Sequence, residues 1–171
     1  MNDVYYKKEW GGRTDMKKIY RIQSFILCFV GMGALFGGIQ AIFDPSGISY
    51  GMSVDLLQTG PFTNFLVPGL FLFFVIGLGH LAAFIYVKRR LKFHIYMSGA
   101  VGCMLMAWIV IQCYILQSIH YLHIIFFLIG LFESIIALLM LVKSGLFPFS
   151  LCKSLIMKNR KNKKEKAFKL K

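Results

Sequence analysis

"FFVIGLGHLAAFIYVKRRLKFHIYMSGAVGC", residues 73–103, holds two apolar runs parted by a short basic link of Lys88, Arg89, Arg90 and Lys92. A helix needs about twenty apolar residues to cross the hydrocarbon of a bilayer. Working outward from this link, four stretches reach that length, approximately 22–43, 62–87, 93–116 and 119–142. The pattern predicts an all-α integral membrane four-helix bundle built from two related helical hairpins.

Composition agrees. Hydrophobic residues make up 57% of the 171, with seventeen Phe and nine Met, and the mean hydropathy is +0.65. Those values lie outside the range of soluble domains. The net charge of +13 would point to nucleic acid if it gathered on a water-facing domain. Here it flanks the apolar runs, so nucleic acid is not an expected partner.

The placement of charge predicts the orientation. Six Lys and Arg precede the first span, four sit in the link, and ten lie from Lys143 onward, which accounts for all twenty. The two opposite loops, residues 44–61 and 117–118, hold none. Cytoplasmic segments carry the excess of Lys and Arg, so both termini are expected in the cytoplasm. Residues 16–41 also begin like a signal peptide, but their uncharged run is too long for one.

Residues 1–18 are expected to form a disordered cytoplasmic segment, with Met16 a natural start ahead of Lys17 and Lys18. Residues 19–143 make the membrane domain. Residues 144–171 make a basic, partly amphipathic tail, which anionic lipid head groups would attract by about 1 kcal/mol per basic residue. In the loop after the first span, Asp44, Pro45 and Gly47 are turn residues. Pro68 has no N–H for the carbonyl of Asn64, which predicts a kink in the second helix.

An internal repeat bears on the polar residues. "FFVIGLGH" from Phe73 and "FFLIGLFE" from Phe126 align at a constant offset of 53, which sets Glu133 opposite His80. Gln40 matches Gln112 in a weaker echo between the first and third spans. A parallel repeat places matched residues at equal depth. His80 and Glu133 lie about 10 and 14 Å from the inner boundary at 1.5 Å per residue.

Each has small residues on one face, Gly77 and Ala83 beside His80 and Gly130 and Ala137 beside Glu133, and small residues mark the packed face of a membrane helix. An ionised acid facing lipid costs several kcal/mol. Glu133 is therefore expected inside the bundle against His80, either as a proton relay or polar centre, or as a pair that fixes helix register.

Gln40, Asn64 and Gln112 form a second candidate polar layer nearer the outer face. Gly33, Gly37 and Ala41 repeat at four-residue spacing, as do Ala34 and Gly38, and Ser98 with Gly102 and Gly99 with Cys103 echo them in the third span. These small-residue stripes predict helix packing with the first and third helices closest to the bundle axis.

Several chemistries are disfavoured. The cysteines are Cys28, Cys103, Cys113 and Cys152, and the outer loops hold none, so a quinone-linked disulfide oxidase is excluded. His120 and His123, with Asp44 and Asp55 in the facing loop, make a weak metal candidate without a third fixed ligand. Haem between two histidines fails because His94 lies well short of His80. No nucleotide, nucleophile-elbow or zinc-protease motif occurs. No catalytic residue, metal or cofactor is expected, and an enzyme is the weaker class.

"GALFGGIQAIFDPSGISYGM" with "PFTNFLVPGLFLFFVIGLGHLAAF" resembles a group of small bacterial four-helix membrane proteins that carry a DPSG loop after the first helix. The likeness covers residues 33–84. It implies a bacterial cytoplasmic-membrane protein and a role for Asp44, Pro45, Gly47, Asn64 and Pro68, and it gives Glu133 no support. The expected function is a small transport-type or proton-coupled membrane protein with a buried His80–Glu133 pair. The alternative is a non-catalytic accessory or immunity protein that binds a membrane-protein partner or a second copy of itself.

Overall fold

The computed structural model describes the backbone of residues 2–57 and 61–144 and the side chains of residues 16–57 and 61–144. Among these the chain is all helical, with no strand. Four helices are long and apolar enough to cross a membrane. They are α1 (Asn2–Phe43), α2 (Leu66–Arg89), α3 (His94–Leu116) and α4 (Tyr121–Ser144). The basic tail, with Cys152, lies outside the described residues.

At its N-terminal end α1 departs from expectation. Where disorder was anticipated up to residue 18, the helix continues back to Asn2. No proline occurs in residues 2–43, and the paired glycines at 11 and 12 cost only about 1 kcal/mol each in helix propensity.

The helices run up and down. Each packs on the next, and α4 returns against α1 through fewer contacts. The α2–α3 link lies at the basic end, and the loops after α1 and α3 lie at the other, the loop end. Arg90 ends α2 in the left-handed region at φ 52. Its N–H bonds the Val87 carbonyl and the Leu91 N–H bonds that of Tyr86, which closes the last turn in a Schellman pattern.

Large apolar side chains cover the outer wall: Phe25, Phe36, Phe43, Ile125 and Leu138 are all exposed. A soluble bundle would reverse this pattern. Inside, Val30, Ala34, Ile76, Leu105, Trp108 and Ile109 make one apolar cluster, and Leu27, Ala83, Val87 and Val101 make a second towards the basic end.

Glycine sets the tightest approaches, at the expected Gly38, Gly77 and Gly130 and also at Gly31 and Gly69. A Cβ on Gly38 would lie 2.8 Å from the amide nitrogen of Phe73, and one on Gly69 would lie 2.6 Å from the Cβ of Ala41. Gly31 and Gly77 are closed in the same way by Leu81 and Leu35. In the second hairpin, a Cβ on Gly130 would lie 2.9 Å from the Gly102 carbonyl oxygen.

The stripe of Gly33, Gly37 and Ala41 is therefore corrected. Ala41 packs and Gly37 touches Leu72, but nothing approaches within 4 Å of a Cβ on Gly33. The face that buries is the neighbouring one, through Val30, Gly31, Ala34 and Gly38. The closest pairs are α1 with α2 and α3 with α4, so α1 and α3 are not the axial pair.

The predicted irregularity in α2 also moves. The helix begins at Leu66, with the Asn64 side chain accepting the Leu66 N–H at 3.1 Å. That leaves Pro68 in the first turn, where its missing N–H removes no bond. The disturbance lies downstream, where Leu72–Leu78 form a π-helical segment that ends two residues before His80.

Candidate functional site

Among the described residues four polar side chains are fully buried, one from each helix: Gln23, His80, Ser98 and Glu133. Two of them meet. His80 Nε2 lies 3.3 Å from Glu133 Oε2, with neither side chain exposed. The expected encounter between the second and fourth spans is present.

Local structure explains how His80 is aimed. Its Nδ1 lies 2.7 Å from the Ile76 carbonyl one turn back. A carbonyl only accepts, so Nδ1 carries a proton and Nε2 is turned to the acid. The contact with Oε2 is a hydrogen bond only when a proton lies between the two atoms. A neutral imidazole with a protonated acid meets this condition, and so does an imidazolium with a carboxylate. The π-helical turn that delivers Ile76 and His80 to this position is a feature that recurs at functional sites.

Glu133 is held from below by close packing. A Cβ on Gly102 would lie 3.0 Å from the Glu133 Cβ, and Ser134 bonds back to the Gly130 carbonyl at 2.9 Å. Its second oxygen, Oε1, has no hydrogen-bond partner. Both amide atoms of Gln23 and the Trp108 indole nitrogen are likewise unpartnered. Each such buried group costs about 1–3 kcal/mol.

Gln23 was missed by the sequence reading. Its signal is the 4, 3, 4 spacing of Gln23, Leu27, Val30 and Ala34, which puts it on the buried face of α1. Ser98 was read only as a small packing residue; its hydroxyl donates to the Ile95 carbonyl at 3.1 Å.

The second polar layer does not assemble. Gln40 and Gln112 are half-buried, Asn64 acts as a cap outside α2, and among the described residues no hydrogen bond joins the three. Gln112 instead faces a cavity of about 250 Å³. Its lining includes the buried Val30, Ile76, Leu105 and Trp108 and the half-buried Phe126, His123 and Gln112, the last two near the loop ends of their helices.

The other histidines have local partners. The His120 N–H donates to His123 Nδ1 at 3.1 Å, which caps the start of α4. His94 donates through Nδ1 to the Leu91 carbonyl and accepts from the Tyr20 hydroxyl at 2.9 Å. Among the described residues no group of three His, Cys, Asp or Glu could hold a metal.

The DPSG turn is a compact unit. The Asp44 carboxylate accepts from the Ser46 hydroxyl and from the amides of Ser46 and Ser49. These bonds hold its pKa at about 2, below the usual 3.8. Gly47 sits at φ 74 with Met52 and Phe65 where a side chain would go, and the Pro45 carbonyl accepts the Phe65 N–H. The turn thus ties the end of α1 to the start of α2.

No family model matches this chain, and no curated protein or solved structure matches it.

Proposed function

We propose that the chain is a small polytopic protein of a bacterial cytoplasmic membrane, with its basic end and both termini inside. The exposed apolar wall calls for lipid as solvent, and the positive-inside bias sets the direction. Within it, His80 and Glu133 form a proton-carrying centre of a transport-type protein.

One observation carries this reading. Because His80 Nδ1 is committed to the Ile76 carbonyl, the proton between Nε2 and Oε2 is the one the pair can exchange. Ionisable groups at membrane depth are costly and rare, and proton relays are among their usual occupations. The bare Oε1 gives Glu133 an acceptor still to be satisfied in a second arrangement.

A second reading makes the protein an accessory that binds a membrane partner, with the pair fixing helix register. It is favoured by the complete enclosure of both side chains and the close packing of Gly102 against Glu133. Buried polar pairs do specify register in some bundles.

Vesicles containing the pure protein and a trapped pH dye separate the two. Under an imposed potassium diffusion potential, a proton-carrying centre acidifies or alkalinises the lumen, and Glu133→Gln and His80→Ala each abolish the change. Variants that move protons at the wild-type rate would refute the proton role. A wild-type rate equal to that of protein-free vesicles would favour the accessory reading.

A further inference from the structure

The cavity at the loop end has a depth, an opening and a rim that together describe an occupant. We infer that it takes one acyl chain of a bilayer phospholipid from the leaflet at the loop end, with the ester carbonyl held by His123 and Gln112. This needs the four helices to lie in a bilayer and does not depend on proton transfer at His80 and Glu133.

The walls decide the class of occupant. Val30, Leu72, Ile76, Leu105 and Phe126 offer water nothing to bond, and apolar cavities stay dry. A space of about 250 Å³ left without atoms is unfavourable, so a hydrocarbon guest belongs there.

The opening decides where the guest comes from. Gly33 lines the cavity yet is exposed, and nothing stands within 4 Å of where its Cβ would be. Gly37, one turn on, lines the cavity as well, and a Cβ there would press on Leu72 Cδ2 at 3.3 Å. Leu122, His123 and Phe126 of α4 line the same cavity, and α1 meets α4 far more sparsely than it meets α2. The cavity therefore opens sideways, where a bilayer presents chains and not headgroups.

The rim decides the polar end. His123 spends Nδ1 on the His120 N–H, so a neutral ring carries its proton on Nε2. Gln112 adds amide hydrogens from the facing helix. His123 lies two residues into α4 and Gln112 four from the end of α3, which puts them about 3 and 6 Å inside the helix ends. Ester carbonyls of a lipid sit at that boundary, and they only accept.

Trp108 lines the same cavity while being buried from the surrounding wall, which makes it the reporter. With Trp10→Phe it becomes the only tryptophan. The protein is placed in vesicles of phosphatidylcholine brominated along the acyl chains, with the unbrominated lipid as reference.

A seated chain quenches most of the Trp108 emission. Gly33→Leu and Gly37→Leu, checked for helix content and elution volume, each restore most of it, and a brominated ether-linked analogue without carbonyls quenches less than the ester. Absence of quenching, or quenching that neither glycine variant relieves, would overturn the inference. Equal quenching by the ether lipid would remove the carbonyl contact with His123 and Gln112.

Discussion

Ile76 and His80 stand one turn apart on α2, and the Ile76 carbonyl accepts the His80 Nδ1 proton at 2.7 Å. A main-chain group thereby fixes which ring nitrogen meets Glu133. The geometry of the pair is set by the helix itself and does not depend on the protonation of the acid.

That arrangement ranks the pair's variants. Glu133→Gln keeps a donor that can face Nε2 and costs about 1 kcal/mol. His80→Ala leaves a buried acid without a partner and costs about 3–5 kcal/mol. Unfolding of the purified protein in mixed detergent measures both, and equal losses would contradict the pairing.

The glycine contacts rank a second set. At Gly38 a methyl group meets the Phe73 backbone, which cannot move aside, so Gly38→Ala should cost about 1–3 kcal/mol. Gly33→Ala meets open space and should be neutral or slightly stabilising through helix propensity. The same unfolding measurement would reverse this order if the four-residue stripe of the sequence were the packed face.

Acid should open the DPSG turn late. A carboxylate whose folded pKa is depressed stabilises the fold above its ordinary pKa, and that contribution is lost as pH falls through the folded value. For Asp44 the window runs from 3.8 down to about 2. Hydrogen exchange at the Ser46 and Ser49 amides should stay slow above the window and accelerate within it, and Asp44→Ala should remove the pH dependence.

Much of this was legible in the residues. Length and charge gave the four helices, because lipid-length apolar runs admit little else. The repeat and the small residues beside His80 and Glu133 gave their meeting. On α1 both small-residue rows were legible, Ala34 with Gly38 and Gly33 with Gly37 and Ala41, but spacing alone cannot say which row meets α2, and Gly33 proved to be exposed.

Pro68 misled for a related reason: a proline disrupts only if turns precede it, and the helix starts two residues earlier. The π-helical turn left no mark in composition. Gln23 was passed over because a single amide near the end of an apolar span reads as an interfacial group until its face is known.

The central claim is that Glu133 holds an exchangeable proton against His80 in a lipid-surrounded interior. Treatment of native membranes with a hydrophobic carbodiimide, followed by mass spectrometry of the peptide containing Glu133, tests it most directly, since the reagent attacks a carboxyl group that carries its proton. The account predicts modification at Glu133 and none in Glu133→Gln. A carboxyl that stays unmodified at every pH where the protein remains folded would contradict it.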